Sequence, residues 1–160
     1  MNLSFNWLHD YIDTDKIADV KKYCDRMTDT GSKVEGFEVL AEDISNVRIG
    51  KVLQMEHHPD SDHLWICQIE IGADAPIQIV TGAQNVKEGD LVPAALHNSW
   101  LPGGVHITKG KLRGEKSNGM LCSFQELGLT QNDLPDAYAD GIWILNNEDC
   151  KPGDDINLVI

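Results

Sequence analysis

No stretch of this 160-residue chain approaches the about 18–20 consecutive apolar residues that a membrane-spanning helix requires. The opening Met1-Asn2-Leu3-Ser4-Phe5-Asn6-Trp7 has neither a basic start nor an apolar run, which reads against a secretory leader and gives the expectation of a cytoplasmic protein. Cysteine is sparse, and Cys24, Cys67, Cys122 and Cys150 form no C-x-x-C pair, so buried free thiols are expected rather than a disulfide framework or a zinc site. Aromatic residues make up only 6% of the chain, which leaves few stacking platforms. Positive charge is scarce as well: 13 Lys and Arg face 26 Asp and Glu, a formal net charge of −13. That balance argues against a strong non-specific polyanion binder, though a local basic patch remains open. There is no G-x-S-x-G, and no cysteine beside a histidine with an orienting partner, so nucleophilic catalysis has no template.

The chain divides near residue 40. The first part predicts a helical turn at Asn6–Tyr11 and a helix from about Asp15 to Thr30, with Ile17, Val20, Cys24 and Met27 on one stripe. Asp13 or Thr14 is the expected cap, Gly31 the expected left-handed terminator, and Val34–Leu40 the expected strand. Trp7 and Trp143 lie in apolar patterns and are assigned to the core. From Asn46 the pattern is β-type: Val47–Met55 with a bulge at Gly50, then Leu64–Ile71, Ile77–Val80, Leu91–Leu96, Val105–Thr108 and Met120–Cys122. A helical turn is expected at Phe124–Leu129, and a last apolar run at Ile142–Leu145. Short strands at regular spacing with Gly/Pro turns predict a mostly β protein built on a small barrel.

Two polar clusters stand out. His57-His58-Pro59-Asp60-Ser61-Asp62-His63 has the residue types of a metal site but poor spacing, and reads more simply as a connecting loop with local side-chain-to-backbone bonds. Residues 109–116 hold Lys109, Lys111, Arg113 and Lys116 against Glu115 alone. The stretch lacks the G-x-x-x-x-G-K-[ST] spacing of a nucleotide-hydrolysing loop. Strand alternation would put Lys109, Lys111 and Arg113 on one face, suited either to a nucleic-acid backbone or to a solvated, lysine-protected strand edge. Trp65 and Trp100 are the candidate base-stacking side chains outside the N-terminal part.

Met1–Leu8 and Gly31-Ser32-Lys33-Val34-Glu35-Gly36 resemble the start of the bacterial phenylalanyl-tRNA synthetase beta subunit. The stretches 47–52, 58–64, 79–86, 101–104 and Lys111-Leu112-Arg113-Gly114-Glu115-Lys116-Ser117-Asn118-Gly119-Met120-Leu121-Cys122-Ser123 are similar to that subunit's tRNA-binding module. The resemblance implies a five-stranded OB-fold barrel over 40–150. It also implies that the barrel is inserted in a small, truncated α+β domain formed by 1–39 with 151–160 as its returning segment. It implies a non-catalytic, tRNA-binding portion of the ligase, with the synthetase alpha subunit and further beta-subunit domains as partners, and ATP and magnesium used elsewhere in the holoenzyme. No catalytic or metal-binding residue is expected in the fragment. The residues expected to meet tRNA are Lys109, Lys111, Arg113 and Lys116, with Asn85 and Lys87 at the rim and Trp65 as a stacking side chain. His63 and Trp65 stand where that family commonly carries basic residues. Two other roles fit the same residues: an architectural docking module, or a free-standing tRNA-binding protein.

Overall fold

The computed structural model describes residues 3–17, 19–133 and 140–160. It contains two compact units, residues 1–39 and 40–160.

In the first unit, α1 (Phe5–His9) is capped by Ser4, whose hydroxyl accepts from the Trp7 amide. The second helix, α2 (Val20–Asp29), starts later than the apolar stripe predicts. Asp19 is its cap, accepting from the Lys22 amide, whereas the Asp13 carboxylate is taken by the amide of Asp15. The intervening Ala18 lies outside the described residues. Gly31 sits at φ +107°, the left-handed terminator that the sequence asks for. Residues 34–39 are not a strand: they have no ladder partner, and the Val34 amide bonds the Thr28 hydroxyl. Trp7 is not core either, being 55% exposed with its ring against Tyr11, because two short helices enclose too little volume to bury it.

The second unit is mostly β. Its strands are β1 (Ser45–His57), β2 (Trp65–Glu70), β3 (Ile77–Thr81), β4 (Leu91–Leu101), β5 (Val105–Ile107), β6 (Gly110–Leu112), β7 (Glu115–Ser117) and β8 (Gly119–Leu121). All pairing is antiparallel, in the order β3-β2-β1-β4-β5, with β8 also on β4 and β6–β7 as a separate hairpin. The sheet curls until β3 approaches β7 and β8, where the Asn118 amide donates to the Gln78 carbonyl and the Val80 amide to the Ser117 hydroxyl. The result is a nearly closed five-stranded barrel, an OB-fold.

The long strand β1 makes this closure possible by serving two neighbours. Its Ser45–Lys51 half pairs with β4 and its Lys51–His57 half with β2. Register shifts fall between Ser45 and Val47 and between Val52 and Gln54, not at Gly50. Gly50 is instead where the buried side switches, and a side chain there would run into Ile69. On one side of the switch Val47 and Ile49 join a core with Phe124, Leu127, Trp143, Leu145 and Ile156. On the other, Val52 joins a second, inner core with Cys67, Ile69, Ile79, Val92 and Leu121. Among the described residues the run at Ile142–Leu145 forms a single bridge, Ser123 to Ile142, and its side chains join both cores. The segment 151–160, expected to return to the N-terminal piece, is tied to β1. Ile49 exchanges backbone bonds with Gly153 and Asp154, and Ile156 is fully buried.

All four cysteines are free, but only Cys67 and Cys122 are buried; Cys24 and Cys150 are partly exposed. Burial pushes the Cys67 thiol up to about 11 and, with Glu126 nearby, that of Cys122 up to about 12. A thiol reagent at pH 8 is therefore expected to modify Cys24 quickly in the native protein, Cys150 more slowly because burial and the carboxylates of Glu148, Asp154 and Asp149 push its thiol up, and Cys67 and Cys122 only on unfolding. The folded state holds these protons when the unfolded chain, titrating near 9, releases them. Stability should accordingly fall as pH rises from about 9 to 11, seen as a lower urea midpoint.

Candidate nucleic-acid interface

Residues 40–160 carry eight cations, and four of them lie between 109 and 116. The β6–β7 hairpin gathers them. Its turn, Arg113-Gly114, has φ +46° and +90°, the two consecutive left-handed residues of a tight hairpin turn. Lys109, Lys111 and Arg113 therefore do not alternate along one strand: Lys109 precedes β6 and Arg113 forms the turn. The pair that shares a face is Lys111 and Lys116, directly opposite each other across the hairpin and both exposed. Like charges in that position cost stability. Among the described residues the ion pairs all fall within 9–35, so no carboxylate neutralises Lys87, Lys109, Lys111, Arg113 or Lys116.

Neighbouring elements fix the hairpin. The Gln78 amide donates to the Lys116 carbonyl at 2.8 Å, and Gln68 donates to Gln78. Ser117 donates to the Gly119 carbonyl at 2.8 Å, and Gly119 lies so close to Ala95 that a side chain there would collide with its carbonyl oxygen. At the tip, Arg113 donates to the Asp60 carbonyl at 3.2 Å. His58, 3% exposed, bridges the two segments: its Nδ1 accepts from the Asp60 amide and its Nε2 donates to the Leu112 carbonyl at 3.2 Å. The Asp60 N–H can only donate, so Nε2 carries the proton.

The histidine-rich loop is thus a brace for the basic hairpin. His58 and Gln78 escaped the sequence reading: the first was obscured by two neighbouring histidines, and the second is a polar residue on a strand, which carries no partner information. Replacing His58 with alanine is expected to cost about 1–3 kcal/mol through the lost bonds and the cavity. It should also speed amide hydrogen exchange at 111–116 more than elsewhere in the barrel.

The remaining expected residues are dispersed. Asn85 gives both ends of its amide to Ile142, donating to its carbonyl at 2.8 Å and accepting from its N–H at 3.1 Å, so it fastens the 82–90 loop. Lys87 is exposed in that loop and is followed by Glu88, which accepts from the Met55 amide, and by Asp90, which accepts from the amide of Lys87 itself. Trp65 packs over the end of the inner core, its ring 3.7 Å from that of His57 and its indole N–H on Gln84. Trp100 is stacked on His106 at 4.3 Å with the rings 10° from parallel. Among the described residues no three His, Cys, Asp or Glu side chains are grouped to hold a metal ion, and no helix is long and apolar enough to cross a membrane.

Over its whole length the chain is 48% identical to the phenylalanine–tRNA ligase beta subunit of Clostridium acetobutylicum. Over 155 residues, 97% of the chain, it is 45% identical to that of Bacillus subtilis. The match spans 19% of the length of each of these relatives. The family model for the tRNA binding domain covers residues 47–142, which take in β1 from Val47 onward, β2 to β8, the braced hairpin and the Asn85–Ile142 clasp. The chain belongs to the tRNA binding domain family.

Proposed function

We propose that this chain is the tRNA-binding, non-catalytic portion of a phenylalanine–tRNA ligase beta subunit, aiding tRNA binding for aminoacylation by the cytoplasmic holoenzyme. The observation that carries the reading is the braced hairpin. Four cations without carboxylate partners among the described residues lie in a barrel unit that is otherwise acidic, and two of them are held opposite each other against their mutual repulsion. A polyanion relieves that repulsion and releases its own counterions. Contacts of this kind position an RNA backbone without reading its sequence. Lys109, Lys111, Arg113 and Lys116 are the phosphate contacts; Lys87 and Trp65 are secondary, and Asn85 acts by holding the loop that carries Lys87. ATP and magnesium would act elsewhere in the holoenzyme, with the alpha subunit and the remaining beta-subunit domains as partners.

A titration of tRNA at low salt tests this. Lys111→Ala/Lys116→Ala is expected to bind at least tenfold more weakly than the parent chain and with a shallower salt dependence. Equal affinities would remove the assignment.

A second reading draws on the N-terminal unit, where Leu3, Trp7, Tyr11, Ile12, Phe37 and Val39 are all largely exposed. Such an apolar concentration suits docking against other protein domains, which makes residues 1–39 the architectural part and the barrel the RNA-facing part.

A further inference from the structure

Strand β4 carries surplus chain opposite the start of β1. The register passes from Val47 opposite Ala95 to Ser45 opposite Trp100, so Asn46 alone faces Leu96, His97, Asn98 and Ser99. Asn46 and Asn98 sit at φ +57° and +64°, a left-handed conformation that asparagine adopts more readily than other side chains but still at a cost. Side-chain bonds hold this bulge. Asn46 donates from Nδ2 to the His97 carbonyl at 3.0 Å, and the buried Ser99 hydroxyl donates to the Asn46 carbonyl at 2.6 Å. What the bulge presents is the His97 ring, whose Nδ1 accepts from the Lys109 amide at 3.1 Å. An amide N–H only donates, so this Nδ1 is unprotonated and the ring carries its proton on Nε2.

Two neutral imidazoles therefore hold the basic hairpin. His58 bonds Leu112 near the tip while its own Nδ1 takes the Asp60 amide, and His97 bonds Lys109 at the base. We infer that His97 is a positioning residue for the phosphate contacts: its unprotonated Nδ1 fixes the backbone that carries Lys109 and Lys111, so a proton on that nitrogen frees the base of the hairpin and weakens RNA binding. The inference rests on the proposed function and deepens it, from which cations meet phosphate to what holds them ready.

The sign is opposite to the one that charge alone gives. Along the segments bonded by the two rings, the cations are Lys109, Lys111 and Arg113 and the carboxylates Asp60, Asp62 and Glu115. On β1 beside Asn46, Arg48 is bonded to the Gly153 carbonyl. The other imidazoles there are His57, His63 and His106, all exposed. Imidazole is the side chain that gains charge between about pH 7.5 and 5.5, and positive charge added at those exposed rings draws a polyanion closer. A proton on the His97 Nδ1 instead removes the acceptor for the Lys109 amide.

Asparagine carries an oxygen where histidine carries Nδ1, and that oxygen keeps its lone pairs across this range. Titrations of tRNA with the full chain at low salt, at about pH 7.5 and about pH 5.5, use that difference. His97→Asn should match the parent chain at the higher pH and bind about fivefold more tightly than the parent at the lower. His97→Ala should bind about fivefold more weakly than the parent at the higher pH and match it at the lower. Without RNA, hydrogen-exchange protection of the Lys109 amide should fall with pH in the parent and hold in His97→Asn. Amides of the β1–β2 ladder should stay protected throughout, which certifies that the variants are folded. If the parent and His97→Asn share one pH dependence, or His97→Ala binds as well as the parent at the higher pH, His97 has no such role. In that case the hairpin reading stands if Lys111→Ala/Lys116→Ala still weakens binding. If the parent chain binds no tRNA at either pH, both readings fall.

Discussion

Gly119→Ala is expected to destabilise the barrel by about 3 kcal/mol or more, read from the urea midpoint, although it adds one methyl group. The reason is position rather than conformation. Gly119 pairs with Leu96 at the start of β8, and an added Cβ would meet the Ala95 carbonyl oxygen well inside contact distance. Backbone cannot move aside as a flexible side-chain tip can, so β8 would have to lift from β4. That shift would pull on Leu121 in the inner core and on the Ser117 hydroxyl, which links Val80 of β3 to the Gly119 carbonyl. These contacts are the ones that close the barrel, so the damage should extend beyond the site. Gly114→Ala provides the contrast. At φ +90° it pays a conformational cost of about 1–2 kcal/mol, but a side chain there points into open space. A large loss for the first and a small one for the second would show that close approach decides the first.

The barrel was legible in the sequence because alternation and turn residues are local. Leu64–Ile71, Ile77–Val80 and the Gly-rich turns read directly as strands and their ends, and β2, β3 and their connections lie there. Failures came where a long-range partner decides. Val34–Leu40 has strand composition, but among the described residues no strand pairs with it; the helix start, by contrast, is decided locally, by Asp19 accepting from the Lys22 amide. The bulges of β1 are set by its two neighbours, which Gly50 cannot reveal. The cationic cluster was legible as charge, but its geometry was not. A three-residue strand followed by Arg113-Gly114 turns back at once, exchanging an expected row of three cations for the Lys111–Lys116 pair. Asn85 illustrates the converse: a loop asparagine reads as a contact residue, and its amide both donates to and accepts from the Ile142 backbone.

Reversing the paired charges, Lys111→Glu/Lys116→Glu, should weaken tRNA binding roughly a hundredfold at about 50 mM salt and lower the slope of log K against log salt by about 2. Each phosphate contact contributes close to one unit of slope, and the contribution vanishes near about 1 M salt; two lost contacts thus give that factor before any new repulsion is counted. The variant turns residues 109–116 from net +3 to net −1. Stability gives an independent axis. Lys111 and Lys116 face each other in the hairpin, so Lys116→Glu alone replaces a repelling pair with an attracting one and should stabilise the hairpin by about 0.2–1 kcal/mol. The double reversal restores like charges and should return stability to near that of the parent chain. The single variant should therefore resist urea slightly better while binding tRNA less well, and the double variant should bind worst with no gain in stability. Affinity that tracked stability across the three proteins would mean that folding, not charge, governs the interaction; affinity that tracks the hairpin's charge while stability rises and falls again is what a phosphate-binding surface held under its own repulsion requires.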